Sequence, residues 1–319
     1  ADAPYENMGT IQTKGWELAI DYRHTFKNGL HFGVTASVAD DKTEVTKWTY
    51  NTKIPSYGAT GWGGKSAYKE GMVLGDIWGL QFDRFLTEDD FNADGSLKAG
   101  LPDQTKVFPA GYQFAPGDVL YKDLDNNGEI VKQTNTNDKG DLSVIGNALP
   151  RLQFGLNLDA AWKGFDISMF FQGVAKRKLW AAGNQVLPGF TTGEPFYKGA
   201  EDYWTPENTD AFYPRPMDYK QSASGNYSVN DRYLLNMAYL RLKTFTVGYS
   251  LPKVWLSKFK VQGLRVYFTG ENLFTIDGVK PAIDPEIGIR TASGKSDQRN
   301  FGRSYPYQKT VSFGIQLSL

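Results

Sequence analysis

One run in the chain carries oxygen ligands at the spacing of a hard-cation loop: Asp123-Leu124-Asp125-Asn126-Asn127-Gly128-Glu129-Ile130. Oxygens at alternate positions converge on one ion, and glycine at the sixth position permits the sharp turn. In this reading Asp123, Asp125 and Asn127 ligate through side chains and Glu129 through its carbonyl. The twelfth position is Thr134 rather than Glu, so the motif is not a complete EF-hand, and Asp141 or Asp138 would close the site. The ion would be a structural Ca²⁺ that braces a loop, and no cofactor is required. The alternative is a solvated, glycine-containing turn.

Catalytic chemistry finds less support. Glycoside hydrolysis needs two carboxylates at a fixed separation across a cleft, and the acids here are spread over connecting segments. The sequence has no Gly-x-Ser-x-Gly elbow and no phosphate loop. With no Cys, disulfides, thiolate catalysis and Cys-zinc sites are excluded. The two histidines, His24 and His31, flank a Lys27-Asn28-Gly29 turn and could be neighbours, but two His without a third ligand make a weak metal site. No catalytic residue is assigned, and the chain does not read as an enzyme. Aromatic residues in the long connections, among them Trp62, Tyr68, Tyr112, Tyr197, Tyr203, Trp204, Tyr213 and Tyr219, could stack on sugars or anchor a protein interface. Trp62, Tyr112, Tyr203 and Trp204 are the candidate substrate contacts; packing of loop on loop is the alternative.

These groups must be positioned by strands. Apolar residues recur with period two over long segments: Trp16, Leu18, Ile20 and Tyr22; Phe32, Val34, Ala36 and Val38; Leu152, Phe154, Leu156, Leu158, Ala160 and Trp162. Phe165, Ile167, Met169 and Phe171 continue the pattern, followed by Leu264, Val266 and Phe268 and by Val311, Phe313, Ile315 and Leu317. One segment changes phase: Leu240 and Leu242 hold one, Phe245, Val247 and Tyr249 the other. A β-bulge near Lys243-Thr244 would produce this. The reading is seven long strands, at roughly 11–26, 30–47, 150–163, 164–180, 236–251, 262–276 and 304–319, each well past the ~5–6 residues of an ordinary strand. Transmembrane strands need ~9–11.

Short and long connections alternate strictly. Lys27-Asn28-Gly29, Lys163-Gly164 and a segment from Leu251-Pro252 are short; the other three run to about 100, 55 and 25 residues, far above the ~4–6 residue median. In an antiparallel sheet this puts every long loop at one end, as in an outer-membrane barrel. A soluble sandwich has no reason to sort its loops. Aromatics near strand ends (Trp16, Tyr22, Phe26, Trp48, Trp162, Phe165, Trp180, Tyr249, Phe274) suit interfacial girdles. Arg23, Arg151, Asn157, Asp159, Arg265 and Glu271 fall on the polar phase and would face a barrel lumen. The fold class is therefore all-β, part of a large antiparallel transmembrane β-barrel with long extracellular loops.

Length is 319 residues, with 35 Lys+Arg against 35 Asp+Glu. A net charge near zero argues against nucleic acid as a partner. Mean hydropathy of −0.45 looks soluble, but only every second residue of a membrane strand must be apolar. The chain begins at Ala1 with neither Met nor a signal peptide. An odd number of strands is expected to precede it, because seven cannot close an even-numbered barrel.

The chain further resembles the C-terminal part of SusC/RagA-type TonB-dependent transporters of Bacteroidetes outer membranes. The residues carrying the resemblance are Pro4-Tyr5-Glu6-Asn7-Met8-Gly9-Thr10-Ile11 leading to Lys14-Gly15-Trp16-Glu17, then Gly117-Asp118-Val119-Leu120-Tyr121-Lys122-Asp123 with Asp125-Asn126-Asn127-Gly128-Glu129-Ile130. After them come Ile145-Gly146-Asn147, Leu149-Pro150-Arg151, Phe171-Gln172-Gly173, Tyr239-Leu240-Arg241-Leu242-Lys243, Gly248-Tyr249-Ser250-Leu251-Pro252 and Gly270-Glu271-Asn272-Leu273-Phe274. The resemblance implies that residues 1–319 belong to a 22-stranded barrel whose plug and TonB-contacting segment lie outside this chain. It implies energised import of an oligosaccharide or oligopeptide across the outer membrane, with a SusD-like surface lipoprotein as lid and a dimer of such pairs. TonB would act through the N-terminal part, and lipid would surround the wall. The loop aromatics are then lid as well as substrate contacts. The family usually ends in an aromatic residue; here the end is Leu319, with Phe313 inside the strand. Two rivals are a ferric-siderophore or cobalamin-type TonB-dependent receptor and a soluble all-β glycan-binding module.

Overall fold

The computed structural model describes residues 7, 9–49, 69–132, 139–181, 183, 185–190, 196–217, 225–257, 261–280, 283–286, 291–292, 295–296 and 307–319. Strands β1 (Gly9–Thr25) and β2 (His31–Trp48) come first, and β3 (Asp76–Gly79), β4 (Phe82–Phe85), β5 (Val119–Tyr121) and β6 (Ser143–Asn147) lie in the first long connection. β7 (Arg151–Trp162) and β8 (Phe165–Lys176) follow, then the short β9 (Lys178–Leu179) and β10 (Leu235–Asn236). β11 (Tyr239–Ser250), β12 (Gly263–Asp277), β13 (Thr291–Ala292), β14 (Lys295–Ser296) and β15 (Thr310–Ser318) complete the set.

The seven long strands form one antiparallel sheet in the order β1-β2-β7-β8-β11-β12-β15, each paired with its neighbour along the chain of long strands. These are the seven read from the sequence. Residues opposite one another in the register share a face. On one face lie Leu18, Val38, Phe154 and, further along, Ala36, Leu156, Phe171, Leu242 and Phe274. On the other lie Thr35, Asn157 and Phe170, and Gly33, Asp159 and Ser168. Lipid on one side and water on the other is the physical setting that makes this alternation stable in so long a strand. No helix among the described residues is long and apolar enough to cross a membrane.

The bulge lies where the phase change places it. Both pairings of β11 skip Lys243, passing from Leu242 to Thr244. The extra residue returns Phe245, Val247 and Tyr249 to the apolar face, opposite Met169, Ile167 and Phe165. The β7–β8 hairpin closes through Lys163 and Gly164, both at positive φ, as a two-residue turn matched to strand twist requires. The β11–β12 connection contains one helical turn, Lys253–Leu256.

Three expectations need correction. The fourth long strand stops at Lys176, not near 180. The chain leaves the wall there, and Trp180 is buried in the loop core rather than in a girdle. His24 and His31 do not meet: His24 pairs with Phe32 and Thr25 with His31, which puts the imidazoles on opposite faces. His24 stacks on Tyr22 and meets Phe26 edge-on, and His31 Nδ1 shares a 2.8 Å hydrogen bond with Thr25.

Candidate functional site

The hydrophobic core of the described residues lies in the long connections, not in the wall. One cluster joins Ile77 of β3, Leu179 and Trp180, Tyr213, Tyr233, Met237 and Val279, and so draws on all three long connections. A second joins Leu80, Phe85, Val119, Tyr121, Ile130, Trp204 and Ala211. The loops thus form a folded crown at one end of the sheet, because they carry enough apolar surface to bury against each other.

Asp118 is the polar centre of that crown. Its side chain is fully buried. It accepts hydrogen bonds from Tyr112 Oη (2.9 Å), the Ala115 N–H (2.9 Å), Asn226 Nδ2 (2.9 Å) and Arg215 Nε (2.9 Å) and Nη2 (3.3 Å). Asn226 in turn accepts from the Val119 N–H at 2.8 Å. Desolvation and the Asp118 charge raise the Tyr112 pKa, so the phenol stays neutral and donates. Gly117 takes φ +90°, and a Cβ there would lie 2.6 Å from the Trp204 ring. Only glycine lets the chain pass this close to Trp204 in that conformation. The Gly117-Asp118 pair was visible as part of the family resemblance; its partners Arg215 and Asn226 carried no signal.

A second charged cluster pins the third long connection to the polar face of the wall. Arg241 of β11 donates from Nη2 to Asp284 (2.7 Å), from Nη1 to Glu286 (2.9 Å) and from Nε to Thr275 Oγ1 (2.8 Å). Lys243 adds a 2.7 Å bond to Glu286. Desolvation opposes ionised Asp284, but Arg241 and the N–H groups of Glu286 and Tyr307 outweigh it and hold its pKa below the ordinary value. Nothing in the sequence pointed to the Asp284–Glu286 end of this network.

The candidate cation ligands divide. Carboxylate oxygens of Asp123, Asp125 and Asp141 all lie within 4.8 Å of one another. Asp141 is fully buried and accepts the N–H groups of Leu124 (2.8 Å) and Val131 (2.7 Å). Asp123 accepts from the Gly128 N–H at 2.8 Å, with Gly128 at φ +86°. Desolvation and the nearby charges of Asp141 and Asp123 raise the Asp125 carboxyl, against the hydrogen bond it accepts from the Asn127 N–H. Each carboxylate keeps further lone pairs, so this donor set suits a hard cation. Asn127 stays beside them, donating from Nδ2 to Asp125 at 3.1 Å and accepting the Glu129 N–H on Oδ1 at 2.8 Å, and the Glu129 carboxylate pairs with Lys106. Thr134 and Asp138 lie outside the described residues.

Of the candidate substrate contacts, Trp204 is only 7% exposed and packs in the crown core. Tyr112 is half-buried and belongs to the Asp118 node. Tyr203 is 40% exposed and lines a cleft of about 500 Å³. Trp62 lies outside the described residues. Asn157, Asp159, Arg265 and Glu271 share the polar face: Arg265 lies opposite Ser250 and Gln316, and Glu271 opposite Thr244 and Thr310. Arg265 also donates to Asp166 from Nε at 2.9 Å. Arg151 sits at the crown end of β7 and pairs with Asp40.

A meandering wall with one apolar and one polar face, tight turns at one end and folded loops at the other defines a segment of a large outer-membrane-type β-barrel. No family model matches the chain. It is 26% identical over 324 residues to TonB-dependent receptor P3 of Formosa agariphila, covering 98% of this chain and 29% of that protein. To TonB-dependent receptor SusC of Bacteroides thetaiotaomicron it is 22% identical, covering 98% of this chain and 27% of that one. Among solved structures it is similar to the RagAB peptide transporter, with a TM-score of 0.65, 18% identity, and coverage of 98% of this chain and 30% of the other. Over 98% of its length the chain is similar to TonB-dependent receptors, SusC among them, as the sequence motifs indicated, and it spans under a third of the relatives it matches. The relatives are receptors and the structural neighbour a transporter, in keeping with a protein that is not an enzyme.

Proposed function

We propose that this chain supplies barrel wall and surface loops to a TonB-dependent outer-membrane importer of an oligomeric nutrient, oligosaccharide or oligopeptide, that works with a SusD-like surface lipoprotein. The observation that carries this reading is the sidedness of the molecule: short turns at one end, and the described parts of the long connections folded into a crown at the other. A crown of this kind offers a surface to lid and substrate, and the polar wall face suits a water-filled passage. Similarity to proteins named TonB-dependent receptors supports TonB dependence, and similarity to the RagAB peptide transporter supports a transport role. The test is detergent extraction of the native protein, mass analysis of what co-purifies, and energised uptake by cells carrying it. A plug-bearing barrel and a surface lipoprotein are expected to co-purify, with uptake lost when the proton gradient collapses. A chain that purifies alone without detergent would overturn the reading.

Within the crown, Asp123, Asp125 and Asp141 are the residues that would hold a structural Ca²⁺, serving to brace the loop rather than to react. At a Ca²⁺ concentration 100-fold above Kd, binding adds ~2.7 kcal/mol to the ordered state, so cleavage through local opening should slow roughly 100-fold. Limited proteolysis of the intact importer with Ca²⁺ or with EDTA checks this, and Asp125→Asn should remove the difference. Identical cleavage in both buffers would leave the motif a bare turn.

A further inference from the structure

The short-turn end of the wall carries unbalanced positive charge, in a chain whose 35 basic and 35 acidic residues otherwise cancel. Residues 26–30, 163–164 and 251–262 contain five lysines and neither Asp nor Glu. Lys27, Lys163 and Lys253, one on each connection, are exposed and make no ion pair among the described residues. Lys258 and Lys260 lie outside the described residues. The nearest acids along the chain are engaged: Asp21 accepts the Thr35 hydroxyl at 2.6 Å, and Asp166 accepts from Arg265 Nε at 2.9 Å.

The three connections form one rim. Trp162 Nε1 donates to the Asn28 carbonyl at 3.2 Å, tying the first turn to the second. The Ser250 N–H donates to the Gly164 carbonyl at 2.8 Å, tying the second to the third. Successive turns of a meander lie two strands apart, about 10 Å, so each ammonium can meet a separate headgroup.

Aromatic rings share this rim on the apolar face. Trp162 lies opposite Phe165, and Phe165 opposite Tyr249, with 4.5 Å between the centroids of the latter pair. Lys163 Nζ lies 4.4 Å from the Trp162 ring centroid, which holds the ammonium beside a lipid-facing ring. Trp255, two residues after Lys253 in the helical turn, is 61% exposed. Tryptophan at headgroup level with lysine reaching past it is the pairing a membrane interface favours. The rings alone suit any lipid; the charge selects. A zwitterionic headgroup offers its own cation beside the phosphate and gains little from a row of lysines, whereas an anionic one gains a net attraction.

We propose that this rim is a docking surface for anionic phospholipid of the periplasmic leaflet, with Lys27, Lys163 and Lys253 contacting headgroup phosphates and Trp162 and Trp255 anchoring at the acyl boundary. The proposal rests on the membrane reading of the wall and adds headgroup selectivity at the end away from the crown.

The test uses the intact importer with its lipoprotein, stripped of lipid in neutral detergent. It is titrated with dioleoyl phosphatidylglycerol, dioleoyl phosphatidylcholine or inorganic phosphate, and bound lipid is counted by native mass spectrometry. Phosphatidylglycerol should bind more tightly than phosphatidylcholine. Lys27→Gln, Lys163→Gln and Lys253→Gln should each lower that preference roughly fivefold, the equivalent of about 1 kcal/mol per lysine. Lys98→Gln, at an exposed lysine of the crown, should leave it unchanged. Equal retention of the two lipids, a preference that survives the triple variant, or equal loss in Lys98→Gln would overturn the rim site. Displacement of phosphatidylglycerol by an equal concentration of inorganic phosphate would overturn lipid as the occupant. Each of these results leaves the import reading in place. An importer that stays in solution without detergent would overturn both.

Discussion

Replacing Asp118 by alanine should unravel the loop crown at a cost of about 3–5 kcal/mol, the range for removing one partner of a buried ion pair. The carboxylate is fully buried and serves five donor atoms from three side chains and one backbone N–H. Its loss strands the buried Asn226 amide and leaves the part-exposed Arg215 guanidinium without its carboxylate, and an orphaned buried donor costs more than an average hydrogen bond contributes. Asn226 lies 108 residues from Asp118, and Arg215 lies 97 away, so the node joins the first long connection to the second. Trypsin cleavage within 196–217 of the intact importer should accelerate by several hundred-fold or more, since ~4 kcal/mol corresponds to roughly a thousandfold in a local opening equilibrium. Asp118→Asn keeps the shape and half the acceptors and should fall between. Wild-type cleavage rates in the alanine variant would show that the crown does not depend on this node.

Leu156→Arg should destabilise the barrel by roughly 2–4 kcal/mol, with Asn157→Arg much milder. Leu156 lies midway along β7, between Ala36 and Phe171 on the apolar face. The same row continues through Leu242 to Phe274. A guanidinium there meets hydrocarbon, with no polar neighbour across either ladder. Asn157, one residue on, lies between Thr35 and Phe170 on the face with Asp159 and Arg265, where a charge stays hydrated. Urea unfolding of the intact importer in lipid bilayers measures both. Equal losses would contradict the assignment of faces.

Both predictions act through residues whose partners differ in sequence distance, and that difference marks what could be read early. Strand number, the two faces, the bulge at Lys243 and the sorting of short from long connections were legible along the chain. Each follows from alternation, which neighbouring residues express together, and from the contrast of lipid with water across one wall. The polar-phase residues Asn157, Asp159, Arg265 and Glu271 could be placed on one face for the same reason. The loops follow no period. That Trp180 and Trp204 are core rather than girdle or contact, that Asp141 joins Asp123 and Asp125, and that Arg241 meets Asp284 all depend on chain closure over tens of residues. By itself the sequence determined the wall, because side-chain alternation is local. The tertiary structure alone decided the crown and its buried Asp118, because those partners are selected by mutual burial among distant segments.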